Sequence, residues 1–488
     1  MNNDPDHQRS STPKAISEAI PVLDSKLKGK ARSKTRFRIG RILNIALPSG
    51  LQSGLDVLDM SIALFFIGAL GNEYVASVSI STGYLVLFYP VVSILYIAAN
   101  AQISRAFGAR DYTKIKTIFS VMFFSAILFS IPTALVAHFG SYYYFSWLNL
   151  GDRITNLGVY YLSVTVFIFP ALMTKNVMIS SFAALGDTRK PFMIKIGVTI
   201  LSVLLNYTFI TGGFGMPKFG MEAAAFVTVG ISYLESLILL TLITTRKKIL
   251  LKLRPSFNFY YLKHGLKIGI PTGIERLYTL VSISIILKFV SGYGDSIVTG
   301  FQVGTRVESF SFVPGFGFMV AAMALMGQSL GAKKIAYAKE YVRLCLIIAS
   351  SVMGTIGLLL AIFGYFLTLI FISHDAVAIH SGMYYLIAVG LSQVPLICCF
   401  VYDGALRGAG KTNVPLMINI SSITILRLLP MYICIHLGLS VYILYVIICV
   451  ETYIRFIFFH FAFNKGTWIP KLHRRLRFVS RKRSLCKT

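Results

Sequence analysis

Acidic residues are scarce in this chain. Nineteen Asp and Glu stand against 47 Lys and Arg in 488 residues, a formal net charge of +28. Six cysteines (Cys345, Cys398, Cys399, Cys434, Cys449, Cys486) have the spacing of neither a metal site nor a disulfide framework. Five of them lie in apolar runs, where cysteine behaves as a small hydrophobe. The histidines (His7, His138, His264, His374, His380, His436, His460, His473) are scattered without ligand spacing, which argues against a bound metal and against an integral-membrane transferase or hydrolase. No phosphate loop is present either. LRGAGKT, Leu406 to Thr412, ends in GKT, but Ala405 stands where GxxxxGK[ST] needs its first glycine, and no strand precedes it. GGFGMPKFG lacks the GK[ST] ending altogether and reads as a tight hairpin between helices. No cofactor is expected.

What the chain has in quantity is apolar length: 55% of residues are hydrophobic and mean hydropathy is +0.70, outside the soluble range. A helix crosses a bilayer with about 20 mostly apolar residues. Twelve segments qualify, at 42–70, 73–103, 117–140, 155–184, 191–213, 221–244, 265–291, 295–327, 341–372, 377–406, 414–437 and 440–463. Pro90, Pro170, Pro314 and Pro395 fall inside them and predict kinks. Residues 1–41 are polar and basic, with no short apolar core, so they read as a disordered tail rather than a cleavable signal. The end of this tail, KGKARSKTRFRIGR, suits anionic lipid headgroups.

The distribution of Lys and Arg orients the segments. Arg246 to Lys267 holds seven basic residues and no acid, and the stretch after Phe463 holds nine and no acid. Alternate connections such as GALGNE, SGYGDS and HLGLS carry almost no basic residues. Both termini and the central connection are therefore expected in the cytoplasm. The positive charge is a topology signal spread over membrane-flanking loops, and nucleic-acid binding is not expected.

The two halves repeat. Ala46-Leu47-Pro48-Ser49-Gly50 matches Gly269-Ile270-Pro271-Thr272-Gly273, Pro90 matches Pro314, Gly108-Ala109 matches Gly331-Ala332, and Pro170 matches Pro395, at offsets of 223 to 225. Six helices per copy is an even number, so both copies share one orientation. The expected fold is all-α and integral to the membrane, with twelve transmembrane helices in two six-helix lobes related by a pseudo-twofold axis along the membrane normal. The lobes fall at 42–244 and 265–463, joined by a cytoplasmic linker at 245–264 and followed by a basic tail at 464–488.

With so few acids, those inside apolar runs stand out, because a charge at membrane depth is costly and marks function by default. Asp56 and Asp59 lie in the first segment, about 60° apart on one helical face. The alternative is that a buried Lys or Arg on a neighbouring helix pairs with them. Glu275, Glu308 and Asp403 are the acids of the second half, and Lys175, Arg276, Arg306 and Arg427 are interior bases, for which salt bridges are expected. Glu451 and Arg455, spaced i,i+4, read as a structural pair. Among the aromatics, Tyr84, Tyr89, Tyr278, Phe310 and Tyr402 are candidates to line a cavity for flat organic cations, which bind ring faces, with a core or lipid-facing role the expected one for any single ring.

In the LPSG start, the FGARDY and LGAKK loops, LGDTRKP with its partner LRGAGKT, LLNYTFITGGFGMPKFGMEAAAFVT and RVESFSFVPGFGFMVAAMALMGQSLGAKK, the chain resembles the multidrug and toxic compound extrusion (MATE) transporters from about Arg41 to Asn464. The resemblance implies a two-lobed exporter of drugs or metabolites, driven by protons or sodium. It implies Asp59, Asp56, Glu275 and Glu308 as cation-coupling candidates, and Asp403, Tyr402, Tyr278, Tyr89 and Asn206 as substrate-binding candidates. One position departs from the family's pattern: the first-helix acid usually stands five residues before the outer glycine, here Gly68, and that residue is Ala63. Asp59 lies one turn nearer the cytoplasm on nearly the same face. The expected protein is a monomer in a cell membrane, the bacterial inner membrane, exchanging a small-molecule substrate for H+ or Na+. A flippase for lipid-linked anionic substrates is the alternative, since the interior Arg and Lys residues suit a phosphate headgroup.

Overall fold

The computed structural model describes residues 12–245, 251–253, 258–372, 374–466 and 468–469. Parts of the expected linker and most of the last basic tail lie outside them. Among the described residues the first lobe consists of α1 (Thr12–Ile67), α2 (Asn72–Val86), α3 (Tyr89–Gly108), α4 (Tyr112–Leu148), α5 (Asp152–Thr165), α6 (Ile168–Leu185), α7 (Arg189–Thr211) and α8 (Gly220–Thr245). The second consists of α9 (Phe259–Ser291), α10 (Asp295–Gly331), α11 (Ile335–Leu369), α12 (Ala376–Gly408), α13 (Asn413–Ser421), α14 (Leu429–His436) and α15 (Val441–Asn464). A π-helical stretch, Ser422–Leu428, joins α13 to α14. Among the described residues, ten stretches are long and apolar enough to cross a membrane, or eleven with the bent α2–α3 pair counted as one. The helix α9, whose apolar run holds Glu275 and Arg276, is a further long helix that opens the second repeat.

The prolines act differently in the two halves. Pro90 and Pro170 stand in the first turn of α3 and α6, where a missing N–H costs nothing, so each ends one helix and starts another. Pro314 and Pro395 stay inside continuous helices. A second difference concerns the N-terminal tail. Helix α1 begins at Thr12 and takes in most of the stretch that composition reads as disordered, for its Ala, Lys, Arg and Leu are strong helix formers without any apolar periodicity.

Each lobe buries its own core. Phe119, Met122, Phe145, Phe169 and Phe182 fill the first. In the second, Leu325, Cys345, Ile397 and Phe459 pack near the chain termini, and Phe301, Tyr385, Leu386 and Tyr445 pack at the far end.

Between the lobes, α1 packs on α10, and α3 packs on α9 and α10. These crossings gather at the end that carries the termini. A Cβ on Gly108 would stand 1.9 Å from the carbonyl oxygen of Gln328, so only glycine allows that approach. At the same end the Arg41 guanidinium donates to Gln328 Oε1 at 2.6 Å, Gln328 Nε2 donates to the Ala184 carbonyl at 2.7 Å, Arg105 donates to the Ala409 carbonyl, and Arg38 pairs with Glu340. Beyond Gly54 the facing sides of α1 and α10 are exposed, with Val57 and Ser61 on one and Gln302, Arg306 and Phe310 on the other. The lobes are closed near the termini and enclose a cleft that opens away from them.

Candidate coupling site and substrate cleft

The two acids of α1 meet a base from α7. Lys195 is 2% exposed, and its Nζ lies 2.7 Å from Asp56 Oδ1 and 2.6 Å from Asp59 Oδ2. Gly50 and Gly54 turn one side of α1 to the other lobe, against Val313. Asp59 stands on the opposite side of the helix, some 140–180° round, and so points into its own lobe. Glu235 of α8 lies 3.7 Å from Lys195 Nζ and 2.7 Å from Lys175 Nζ. Three carboxylates thus face two ammonium groups, with one negative charge in excess. The cluster is not sealed, since the Asp56 side chain is 56% exposed and that of Asp59 21%. Asp59 Oδ1 has no hydrogen-bond partner. Tyr89, 39% exposed at the start of α3, is within electrostatic range of Asp56 and Lys195.

Sequence reasoning weighed a paired base for these acids without identifying it. Lys195 follows Arg189 and Lys190 closely enough to pass for one more interfacial lysine, and Glu235 is a lone acid in the apolar run SYLESLILL. The available signal was depth: each sits about a turn or more inside its helix, beyond the reach of headgroups.

The second lobe builds a comparable arrangement. Arg407 Nε donates to Asp403 Oδ1 at 2.6 Å, and its other arm donates to Glu275 Oε1 at 2.9 Å. Asn419 Nδ2 donates to the same Glu275 oxygen at 2.8 Å, while Glu275 Oε2 has no partner. Asp403, expected to bind substrate, is thus a buried partner of Arg407 in this state. Its i,i+4 spacing from Arg407 favours that pair.

Glu308 is half-buried and accepts the Tyr385 hydroxyl at 2.6 Å. Tyr278 is half-buried and bonds Thr424. Two other substrate-binding candidates are buried in this state. Tyr402 is 4% exposed, packed against Phe456 and Phe463, with its hydroxyl 2.9 Å from His460 Nδ1. Asn206 is 2% exposed, and its amide donates back to the Ser202 carbonyl one turn earlier. Both face the interior of their own lobe; the Tyr402 hydroxyl has His460 as its partner, while Asn206 Oδ1 is buried without one. Glu451 and Arg455 do pair, at 3.2 Å, and the carboxylate of Glu451 also takes Arg427 at 2.5 Å and the Ser422 hydroxyl. Arg306 departs from expectation altogether: it is exposed and has no ion pair among the described residues.

Comparison with known proteins places this architecture. Among curated relatives, the probable multidrug resistance protein NorM of Thermotoga maritima is 25% identical over 390 residues, 79% of this chain and 83% of that protein. The NorM protein of Neisseria meningitidis serogroup B is 23% identical over 404 residues, 80% of this chain and 86% of its own length. The fold is shared with a MOP superfamily transporter from Pyrococcus furiosus (TM-score 0.82, 16% identity, 88% of this chain and 96% of that one). It is shared equally with the Vibrio cholerae MATE transporter VcmN in its bent form (TM-score 0.82, 19% identity, 89% and 98%). The MatE family model matches residues 48–208 and 271–433, one stretch in each lobe. With both repeats matched and two six-helix lobes packed around a cleft, the chain belongs to the MatE family of multi-pass membrane transporters.

Proposed function

We propose that the protein is a proton-coupled antiporter that exports drugs or amphipathic metabolites by alternating access, working as a monomer in a cell membrane with both termini in the cytoplasm. The names of the NorM relatives support the drug substrate class. The basic loops support the orientation, which makes the described state closed to the cytoplasm and open outward.

The observation that carries the coupling is the position of Lys195 between Asp56 and Asp59, inside a cluster with one surplus negative charge and an opening to the cleft. Sodium needs several oxygens converging on one point. Here a tethered ammonium already holds that point in the first lobe, and in the second lobe the Arg407 guanidinium stands between Asp403 and Glu275. A proton suits the arrangement better. Arriving through the open cleft, it neutralises the surplus charge at Asp56 or Asp59 and loosens the hold on Lys195. The attraction between α1 and α7 then weakens, and the lobe has a reason to change shape that depends on the external proton supply. Release on the cytoplasmic side restores the pair.

Ethidium transport into inverted proteoliposomes tests this, with a pH gradient or a sodium gradient imposed singly. Transport under the pH gradient alone, lost in Asp59→Asn, is expected. Transport driven by sodium alone, or undiminished pH-driven transport in Asp59→Asn, would overturn it.

A further inference from the structure

Seven bases in or at the ends of the membrane segments fall into two groups; Lys267, Lys288 and Arg343 are exposed within about a turn of a segment end. Lys175, Lys195, Arg407, Arg427 and Arg455 each have a carboxylate within 2.5–3.2 Å. Arg306 has none among the described residues and is exposed. Arg276 has only the Tyr96 hydroxyl at 3.3 Å, and its Nε is buried without a partner.

The direction of Arg306 follows from the helix it stands on. Val313 and Gly317 of α10 pack against Gly50 and Gly54 of α1. At 100° per residue, Arg306 lies about 20° from each of these two positions, two turns from Val313 toward the open end. It therefore faces the opposite lobe across the cleft. Gln302 shares the face one turn further out, and Phe310, 58% exposed, lies one turn below. Arg276 is reached in the same way on α9. Gly269 and Gly273 pack on Ile94 and Pro90 of α3, and Arg276 follows one turn further out, within about 20° of Gly269.

An unpaired guanidinium at membrane depth is costly and persists where it meets water and a ligand. Arg offers a planar fork of donors matched to a carboxylate or phosphate. The geometry points to an anion-recognition site on the second-lobe wall of the cleft, with Arg306 as its principal donor and Arg276 at its base. Its ligand is an amphipathic organic anion whose apolar body rests on Phe310. This deepens the exporter reading and rests on it, by adding organic anions as a substrate class beside cationic dyes. The same chemistry fits a free organic acid or the headgroup of an anionic lipid.

Two probe pairs separate these sources and test the site. Rhodamine B and its ethyl ester share one ring system and differ in a carboxylate, and their binding to purified protein is compared. NBD-labelled phosphatidylglycerol and phosphatidylcholine are compared for translocation in liposomes, read by dithionite quenching. In Arg306→Gln the preference for the member of each pair with the more negative net charge should fall at least tenfold, about the worth of one charge-assisted hydrogen bond. Arg306→Lys should restore part of it, and Arg306→Glu should invert it. A change confined to the dye pair assigns a free acid, and one confined to the lipid pair assigns a headgroup. If neither preference changes in monodisperse Arg306→Gln, the site is refuted. Ethidium transport by the wild-type protein under a pH gradient reports separately on the exporter reading.

Discussion

The backbone of Gly317 in α10 lies directly on that of Ala46 in α1: a Cβ on Gly317 would stand 2.2 Å from the Ala46 carbonyl oxygen. Real Cβ atoms do not come that close, so closure of the lobes near the termini depends on this residue having no side chain. Gly317→Val should therefore hold that end apart and favour the state open toward the termini. Ser104, fully buried beside Gly327 of the other lobe, reports the change. In a cysteine-free background, Ser104→Cys should be shielded from a membrane-impermeant thiol reagent, and Gly317→Val should make it reactive. Unchanged labelling would show that the crossing tolerates a side chain.

Lys195 lends itself to a test by removal. Lys195→Gln leaves Asp56, Asp59 and Glu235 with only Lys175 to balance them, and the vacated space is lined by carboxylate oxygens. The variant should lose pH-driven transport. It should also gain stability from sodium, because a ligand that binds only the folded state raises its melting temperature. Melting in sodium chloride against choline chloride should differ more for Lys195→Gln than for wild type. An equal response in the two proteins would mean that the ammonium does not stand in for a cation.

Much of this fold was legible in the sequence because its signals are local or periodic. Apolar length, prolines at matching offsets, and basic loops each state their meaning without reference to a distant residue. The site was less legible. Asp56 and Asp59 could be singled out because charge inside an apolar run is rare, but their partner Lys195 is 136 positions from Asp59. Helical spacing says nothing about which helices are neighbours. The salt bridge expected of Arg306 is absent among the described residues, because its face of α10 looks across an open cleft. Tyr402 and Asn206 are turned the other way, each making a hydrogen bond inside its own lobe.

Glu451 gives a contrasting, purely structural prediction. Its carboxylate is fully buried and holds Arg427, Arg455 and the Ser422 hydroxyl, pinning the π-helical stretch to α15. Removing one partner of a buried ion pair costs about 3–5 kcal/mol, because the remaining charge stays buried. Glu451→Gln should lower the melting temperature in detergent and the yield of folded protein, with transport per folded molecule retained. Transport lost at normal stability would instead place Glu451 in the transport cycle.

Orientation can be checked at Lys218, exposed in the short connection between α7 and α8 at the end away from the termini. A cysteine introduced there should react with an impermeant reagent added to intact cells. Reaction only after permeabilisation would invert the topology and, with it, the side on which the cleft opens.

The most demanding prediction concerns the depth of the coupling acid. Ala63 lies one turn beyond Asp59 on nearly the same face of α1 and is 9% exposed. An acid there would keep the direction of Asp59 but stand about 6 Å further along the helix axis. Lys195 Nζ is already within 2.7 Å of both Asp56 and Asp59, so its reach is fixed at their level. Asp59→Asn should abolish pH-driven efflux while leaving dye binding in place. Asp56→Asn should act more mildly, because its more exposed carboxylate is better solvated by water in the cleft. If coupling requires the contact with Lys195, the double variant Asp59→Asn with Ala63→Asp should remain inactive. Restored efflux in that double variant would show that the face of α1 is sufficient and that pairing with Lys195 is incidental to coupling.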